Sequence, residues 1–298
     1  MAALILDDAA MSQTLNPPLI DPGRLQTLLG IASGRFDVDA LSECESTSSL
    51  LLDRATHGAP AGSVIVADRQ SAGRGRRGRN WVSSPEASLT FSVLWRFDSG
   101  VERLAGLSLA VGVAVARALE ACGASGISLK WPNDILFAED GRHTKLGGIL
   151  VELQMERQGD RRSMLAVIGI GLNLHLPVAS GFVSEGECAV DSLPVAGQPV
   201  ASLAQALSPL PDRHDLLAQM LIELAAVLDL FSSGGFAALR DEWLVRNAWQ
   251  DTPVQLLRDG IIEKDGICRG ADSDGALLIE TGKGLERCLS GDLSLRAK

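Results

Sequence analysis

Apolar and polar positions change rhythm several times along the chain. Ala87–Arg96 alternates strictly, with Leu89, Phe91, Val93 and Trp95 on one side, which predicts a half-buried strand. Ser63–Ala67, Lys145–Met155 and Ser163–Leu172 are further strand candidates. Ile127–Leu136 reads as strand with Lys130 inside it, turned by Trp131-Pro132-Asn133-Asp134, and Glu139-Asp140-Gly141 predicts a hairpin turn. Val101–Cys122 has helical character and no charge from Leu104 to Ala116, so it should lie buried against a sheet. Asp212–Phe231 and Phe236–Trp249 read as amphipathic helices, and Glu43–Gly58 as a helix whose cap is Ser46, Thr47 or Ser48. Strands in succession flanked by helices predict an α+β fold with a mixed or antiparallel sheet, rather than repeated βαβ units.

The texture changes at Asp251. Short strands separated by Asp-Gly, Gly-Ala and Gly-Lys turns predict a small β-barrel-like domain over residues 250–298. Residues 1–40 read as a tail with a short helix at Asp21–Ala32, and 41–249 as the main domain. Residues 177–212, rich in Pro, Gly, Ser and Ala, read as a mobile loop or insertion.

A net charge of −10 argues against a nucleic-acid binder, and too little chain precedes Leu41 for a helix-turn-helix domain. The five cysteines are scattered without a C-x-x-C pair, which predicts reduced thiols. Met1–Met11 does not read as a signal peptide, and the Leu104–Ala116 stretch reads as too short to cross a bilayer. A cytoplasmic protein without a membrane or DNA partner is the expectation.

Against this acidic background stands Gly73–Trp81, GRGRRGRNW, in which Arg74, Arg76, Arg77 and Arg79 alternate with three glycines. Glycine lets backbone fold tightly around a ligand, and guanidinium forks match carboxylate and phosphate oxygens. Gly73, Gly75 and Gly78 spell G-x-G-x-x-G, but no helix follows in Asn80–Pro85, so a dinucleotide fingerprint lacks its context. A loop that wraps a small anion, ordered by that anion, is the better reading.

The arginine loop, KWPND at 130–134 and KLGGILVEL at 145–153 occur in that order, with the Ser46-Thr47-Ser48 helix start before them. In this combination the chain, from about residue 41 to its end, resembles the biotin–protein ligases. The resemblance implies a catalytic domain with a mixed sheet flanked by helices, followed by an SH3-like domain. It also implies two-step acyl transfer: biotin and ATP, with Mg²⁺, give biotinyl-5′-AMP, and a lysine of a biotin carboxyl carrier domain then takes the biotin. On this resemblance Ser46, Thr47, Gln70, Gly73, Arg74, Lys145 and Gly148 look like the biotin set. Arg76, Arg77, Arg79, Trp81, Asn133, Lys145, Asn173 and Arg296 look like the ATP or adenylate set. Lys145 and Arg76 look catalytic, and Asp134 is the candidate for positioning Mg²⁺ or the incoming lysine. The family often has Ser-Thr-Asn where this chain has Ser46-Thr47-Ser48, so a hydroxyl stands in place of an amide. A lipoate or octanoate ligase is the alternative enzyme, and a biotin-responsive repressor the alternative of another class. The oligomeric state, a homodimer included, is left open.

Overall fold

The computed structural model describes residues 17–158, 161–176, 199–258, 260–289 and 293–298. The expected tail at 1–16, most of the expected loop at 177–212 and Cys188 lie outside them.

The chain opens on helix α1 (Pro22–Leu29), capped by Asp21, whose carboxylate accepts from the amides of Gly23 and Arg24. Strand β1 (Asp37–Cys44) follows, then α2 (Thr47–Thr56) and β2 (Ser63–Gln70). Next come β3 (Ser88–Phe97), α3 (Leu107–Ala121), β4 (Ile127–Lys130), β5 (Asp134–Glu139), β6 (Arg142–Gln158) and β7 (Arg161–Asn173). These strands form one seven-stranded sheet in the order β1-β2-β3-β7-β6-β5-β4. Only β1 and β2 run parallel; every other neighbouring pair is antiparallel. The mixed sheet expected from the pattern is therefore present. The hairpin at Asp140-Gly141 has both residues at positive φ, 49° and 74°, as a tight two-residue turn requires.

Alternation along the strands sorts side chains between two layers. Leu89, Phe91, Val93 and Trp95 of β3 face the main core, with Ile168, Ile170 and Leu172 of β7. That core is closed by α3 and α5 (Arg213–Gly234). On the opposite face, α2 lays Leu51 and Ala55 on Ile65, Leu94, Leu165 and Val167. The same face carries Ser92 at the middle of β3, fully buried and polar.

Several boundaries differ from expectation. Val101–Cys122 is split: a 3-10 turn ends at Leu104, Gly106 takes a left-handed φ of 77°, and α3 starts only at Leu107. The predicted second amphipathic helix shortens to a 3-10 turn and α6 (Arg240–Arg246), after α4 (Leu203–Ala206) and α5. Beyond α6, Asn247 leaves the helix to pair in parallel with Leu129 of β4. Strand β1 runs across the expected boundary at residue 40, and Leu25, Leu29, Phe36 and Val38 belong to the main core. Val101–Ala121 and Arg213–Gly234 reach the length and hydropathy of a membrane span, but the first is interrupted at Gly106, and α3 and α5 pack on each other and bury residues in the main core.

The C-terminal unit is a second, antiparallel sheet of β8 (Pro253–Arg258), β9 (Ile261–Ala271), β10 (Leu277–Thr281), β11 (Gly284–Cys288) and β12 (Leu293–Ala297). Its order is β11-β10-β9-β8-β12. Val254, Leu256, Leu277, Ile279 and Leu295 bury its inner face in continuity with the main core. Cys44, Cys122, Cys268 and Cys288 are free thiols, as their scatter predicts.

Candidate active site

At the start of α2, Ser46 caps the helix: its carbonyl accepts from Leu50 N–H at 2.9 Å and its side chain from Ser49 N–H at 3.4 Å. The next two hydroxyls therefore need not cap, and both turn inward. Thr47 N–H donates to Gln70 Oε1 at 2.7 Å, and Thr47 Oγ1 lies 2.8 Å from Ser92 Oγ. Ser48 Oγ is 3.0 Å from the same Ser92 oxygen. Gln70, Thr47, Ser92 and Ser48 thus form one buried chain of polar groups. Its floor is backbone: a Cβ at Gly169 would come 2.6 Å from Ser48 Oγ. Gly73 presses on the end of this chain, where a Cβ would sit 3.0 Å from Gln70 Nε2 and overlap the Trp81 carbonyl.

The arginine loop closes on itself through an Arg74–Asn80 bridge, with Gly75 N–H donating to Arg79 O at 2.7 Å and Trp81 N–H to Gly73 O at 2.8 Å. Arg77 sits at a left-handed φ of 60°, uncommon for a side chain of its size. The four arginines diverge. Arg76 Nη1 donates to Asn133 Oδ1 at 3.1 Å, and Arg74 pairs with Glu152 of β6. Arg77 and Arg79 stand on the exposed side, with Arg79 Nε donating back to Arg76 O at 3.4 Å. At the end of the loop the Trp81 indole lies over Gly171, where any Cβ would overlap the ring. Trp81 Nε1 donates to Thr90 Oγ1 at 3.3 Å.

A second cluster gathers at the KWPND turn. Asn133 Nδ2 donates to Ile149 O at 2.8 Å, and Ile149 N–H returns to Asn133 O at 3.0 Å, which fixes the turn on β6. Asp134 Oδ1 accepts from Lys145 Nζ at 2.6 Å and Oδ2 pairs with Lys130 Nζ at 3.1 Å. Burial works to raise the Asp134 carboxyl, but the two ammonium groups outweigh it and hold the carboxyl below its usual range. Lys130 is pulled the other way: burial lowers its pKa further than Asp134 restores it. Lys130 is therefore no surface lysine with its head in water. Gly148 joins the two clusters, since its missing Cβ would lie 3.5 Å from Lys145 Nζ and 3.8 Å from the Trp81 ring. Asn173 Nδ2 donates to Ala201 O at 3.0 Å and to Lys145 O at 3.4 Å, steadying the strand below.

This geometry places a buried chain of hydroxyl and amide groups beside a cluster with excess positive charge, under one arginine loop. Residues 42–173 match the Biotin/lipoate A/B protein ligase family, and residues 252–296 match the Biotin protein ligase C terminal domain. The chain is 37% identical over 280 residues to the Bifunctional ligase/repressor BirA of Salmonella typhimurium, covering 94% of this chain and 79% of the relative. It is 32% identical to the Biotin--[acetyl-CoA-carboxylase] ligase of Mycobacterium tuberculosis, covering 90% and 92%. The chain belongs to the biotin protein ligase family. Among solved structures, the biotin protein ligase of Aquifex aeolicus in complex with biotin and ATP superposes with a TM-score of 0.67 at 27% identity. That match covers 88% of this chain and 99% of the other. A mutant of the same ligase, in complex with biotin, gives 0.68 at 27% identity and the same coverage. The two-unit architecture is thus that of the biotin protein ligases, with a C-terminal sheet of the SH3-like kind.

Within this family frame, the structure brings together Ser46, Thr47, Gln70, Gly73, Trp81, Gly148, Asn133, Asp134, Lys145, Asn173 and Arg76. It leaves Arg77 and Arg79 at the loop surface, turns Arg74 to Glu152, and puts Arg296 close enough to act on Lys130 by charge. Both Asp134 oxygens face ammonium groups, so a magnesium ion or an incoming lysine there would have to displace one of the two lysines. Sequence reasoning missed Ser92, Thr90, Gly169, Gly171 and Glu152. The strand alternation that identified Leu89 and Phe91 as core also put Thr90 and Ser92 on the opposite face, and that was the available signal.

Proposed function

We propose that this biotin ligase makes biotinyl-5′-AMP from biotin and ATP, and transfers biotin to a lysine of a biotin carboxyl carrier domain. The observation that carries the proposal is the convergence of Arg76 and Lys145 on the adjacent pair Asn133-Asp134, beside the buried Thr47–Ser92–Ser48 hydroxyl chain. In the first step a carboxylate oxygen of biotin attacks the α-phosphorus of ATP, the bond to the β-phosphate breaks, and pyrophosphate leaves. Two anions must approach, so cations preorganised where charge accumulates lower the barrier. Two lysines share one carboxylate here, leaving an excess positive charge that a phosphate completes. Mg²⁺ enters with the nucleotide as part of the substrate, and no step is assigned to a protein-bound metal. In the second step the carrier amine attacks the acyl carbon, AMP leaves with the electron pair of the acyl–oxygen bond, and the amine loses a proton. The hydroxyl and amide chain suits the donors and acceptors of a ureido ring, with Ser48 supplying a hydroxyl where relatives often use an amide. Neither DNA nor a membrane is part of the reading, and the chain acts in the cytoplasm.

Incubation with ATP, Mg²⁺, a carrier domain and either labelled biotin or labelled lipoate tests this. Label from biotin on the carrier lysine is expected. Label from lipoate alone would move the assignment to a lipoate ligase.

A further inference from the structure

Lys130 is the most deeply buried ammonium group near the site, with its side chain 4% exposed, against 23% for Lys145. Both pair with Asp134, but only Lys145 is open enough to meet a ligand. Lys130 therefore needs another explanation, because burying a charge is costly unless something answers it. Two groups answer it. Asp134 Oδ2 lies 3.1 Å from its Nζ, and the face of Trp249 lies 5.1 Å from the same nitrogen. Trp249 is itself held in place because Ala248 N–H donates to Leu129 O at 2.9 Å, next to Lys130 in β4.

We infer that Lys130 is a positioning residue: by taking up part of the charge of Asp134 it keeps Lys145 free to leave that carboxylate for the nucleotide, and Trp249 holds Lys130 to this task. The inference rests on the ligase reading. Without Lys130, Asp134 and Lys145 would close into a neutral pair, and Lys145 would have to break a full ion pair to reach the α-phosphate. With Lys130, the three groups carry one net positive charge and the carboxylate is shared. The arrangement also links the site to the second sheet, since Trp249 lies on the segment leading into β8 and Arg296 of β12 adds its charge nearby.

The test is Lys130→Met in the full chain, a change close in length that removes only the charge. Adenylate formation, read by pyrophosphate release, should fall about tenfold to a hundredfold, the scale of misplacing a catalytic group. Single-turnover transfer from synthetic biotinyl-AMP should hold, and a thermal melt should show a folded variant, because Asp134 keeps Lys145 as a partner. Lys130→Arg should recover most of the adenylation rate, and Trp249→Leu should lower it in the same direction, to a smaller extent. Wild-type adenylation in Lys130→Met, or equal loss in both half-reactions without rescue by arginine, overturns the inference and leaves the ligase reading intact. Absence of biotinyl-AMP from the wild-type chain overturns that reading, and the inference with it.

Discussion

At the scale of single residues, Lys145 and Arg76 meet the KWPND turn at different atoms, and the proposed function gives them separable duties. Lys145 Nζ is 2.6 Å from Asp134 and 3.5 Å from where a Gly148 side chain would start, so it can swing between the carboxylate and a ligand lying over the glycine. Lys145→Ala is expected to slow adenylate formation by ~10²–10³-fold, the effect of losing one preorganised charge donor. Transfer from synthetic biotinyl-AMP should suffer much less, because that step creates no new phosphate charge. Pyrophosphate release and single-turnover transfer measure the two separately, and equal losses would reduce Lys145 to a pocket-holding role. Arg76 reaches Asn133 from the loop at 3.1 Å and thereby closes the loop over the turn. Arg76→Gly should still form the adenylate but release it, so bystander proteins mixed with the variant should acquire biotin; a variant unable to make adenylate would place Arg76 in the chemistry instead. That Asp134 and Lys145 would gather at one place was legible, because they are charges beside apolar strand patterns, and Lys130 stood out for the same reason. How they pair was not. Nothing in the spacing of 130, 134 and 145 says that one carboxylate serves two lysines, since that depends on β5 lying between β4 and β6.

At the scale of elements, the pocket is shaped by what β7 lacks. Gly169 and Gly171 sit on the face that β7 turns to α2, where Leu165 and Val167 earlier in the strand fill the space with side chains. The strand thus goes from packed side chains to bare backbone, covered by Ser48 and Trp81, within a few residues. Gly171→Ala is expected to push the Trp81 indole off its seat and to destabilise the fold by about 1–3 kcal/mol, the usual range for overpacking. Denaturant unfolding reads the stability, and tryptophan fluorescence reads the displaced ring. A variant with unchanged stability and emission would mean the ring is not seated there. The strand itself was legible from its apolar run, whereas its glycines read as ordinary small residues until Trp81, Ser48 and Ser92 came to lie over them. Helix ends were less legible than helix existence. Gly106 separates a 3-10 turn from α3 because it adopts φ 77° beside Phe236, a contact made 130 residues further along the chain (236 − 106).

At the scale of the whole molecule, the two units share one core and are also tied by specific polar contacts. Trp131 of the KWPND turn is fully buried, and its Nε1 donates to Gly275 O at 3.1 Å, in the turn before β10. Trp131→Phe should keep most of the packing and strand the Gly275 carbonyl, a loss of about 1–3 kcal/mol for a buried unsatisfied group. A thermal melt gives the size of the loss. Limited proteolysis between α6 and β8 shows whether the second sheet loosens; an unaltered melt and cleavage pattern would make the indole bond incidental. The second sheet was legible from its turn spacing, but its joint was not, since reading Trp131 as part of a turn does not say that its indole reaches Gly275, 144 residues away.

The joint has a further consequence for exchange between relatives. A Cβ built on Gly275 would come within 2.6 Å of the Gly106 Cα, so the two backbones touch where neither can carry a side chain. The C-terminal unit is consequently keyed to its host, as a lock is cut to one bit. A chimera that imports another ligase's C-terminal sheet should assemble only if the donor brings glycine to this turn. A donor with a larger residue there should give a chimera whose thermal melt is lowered, because the added side chain would meet the Gly106 backbone.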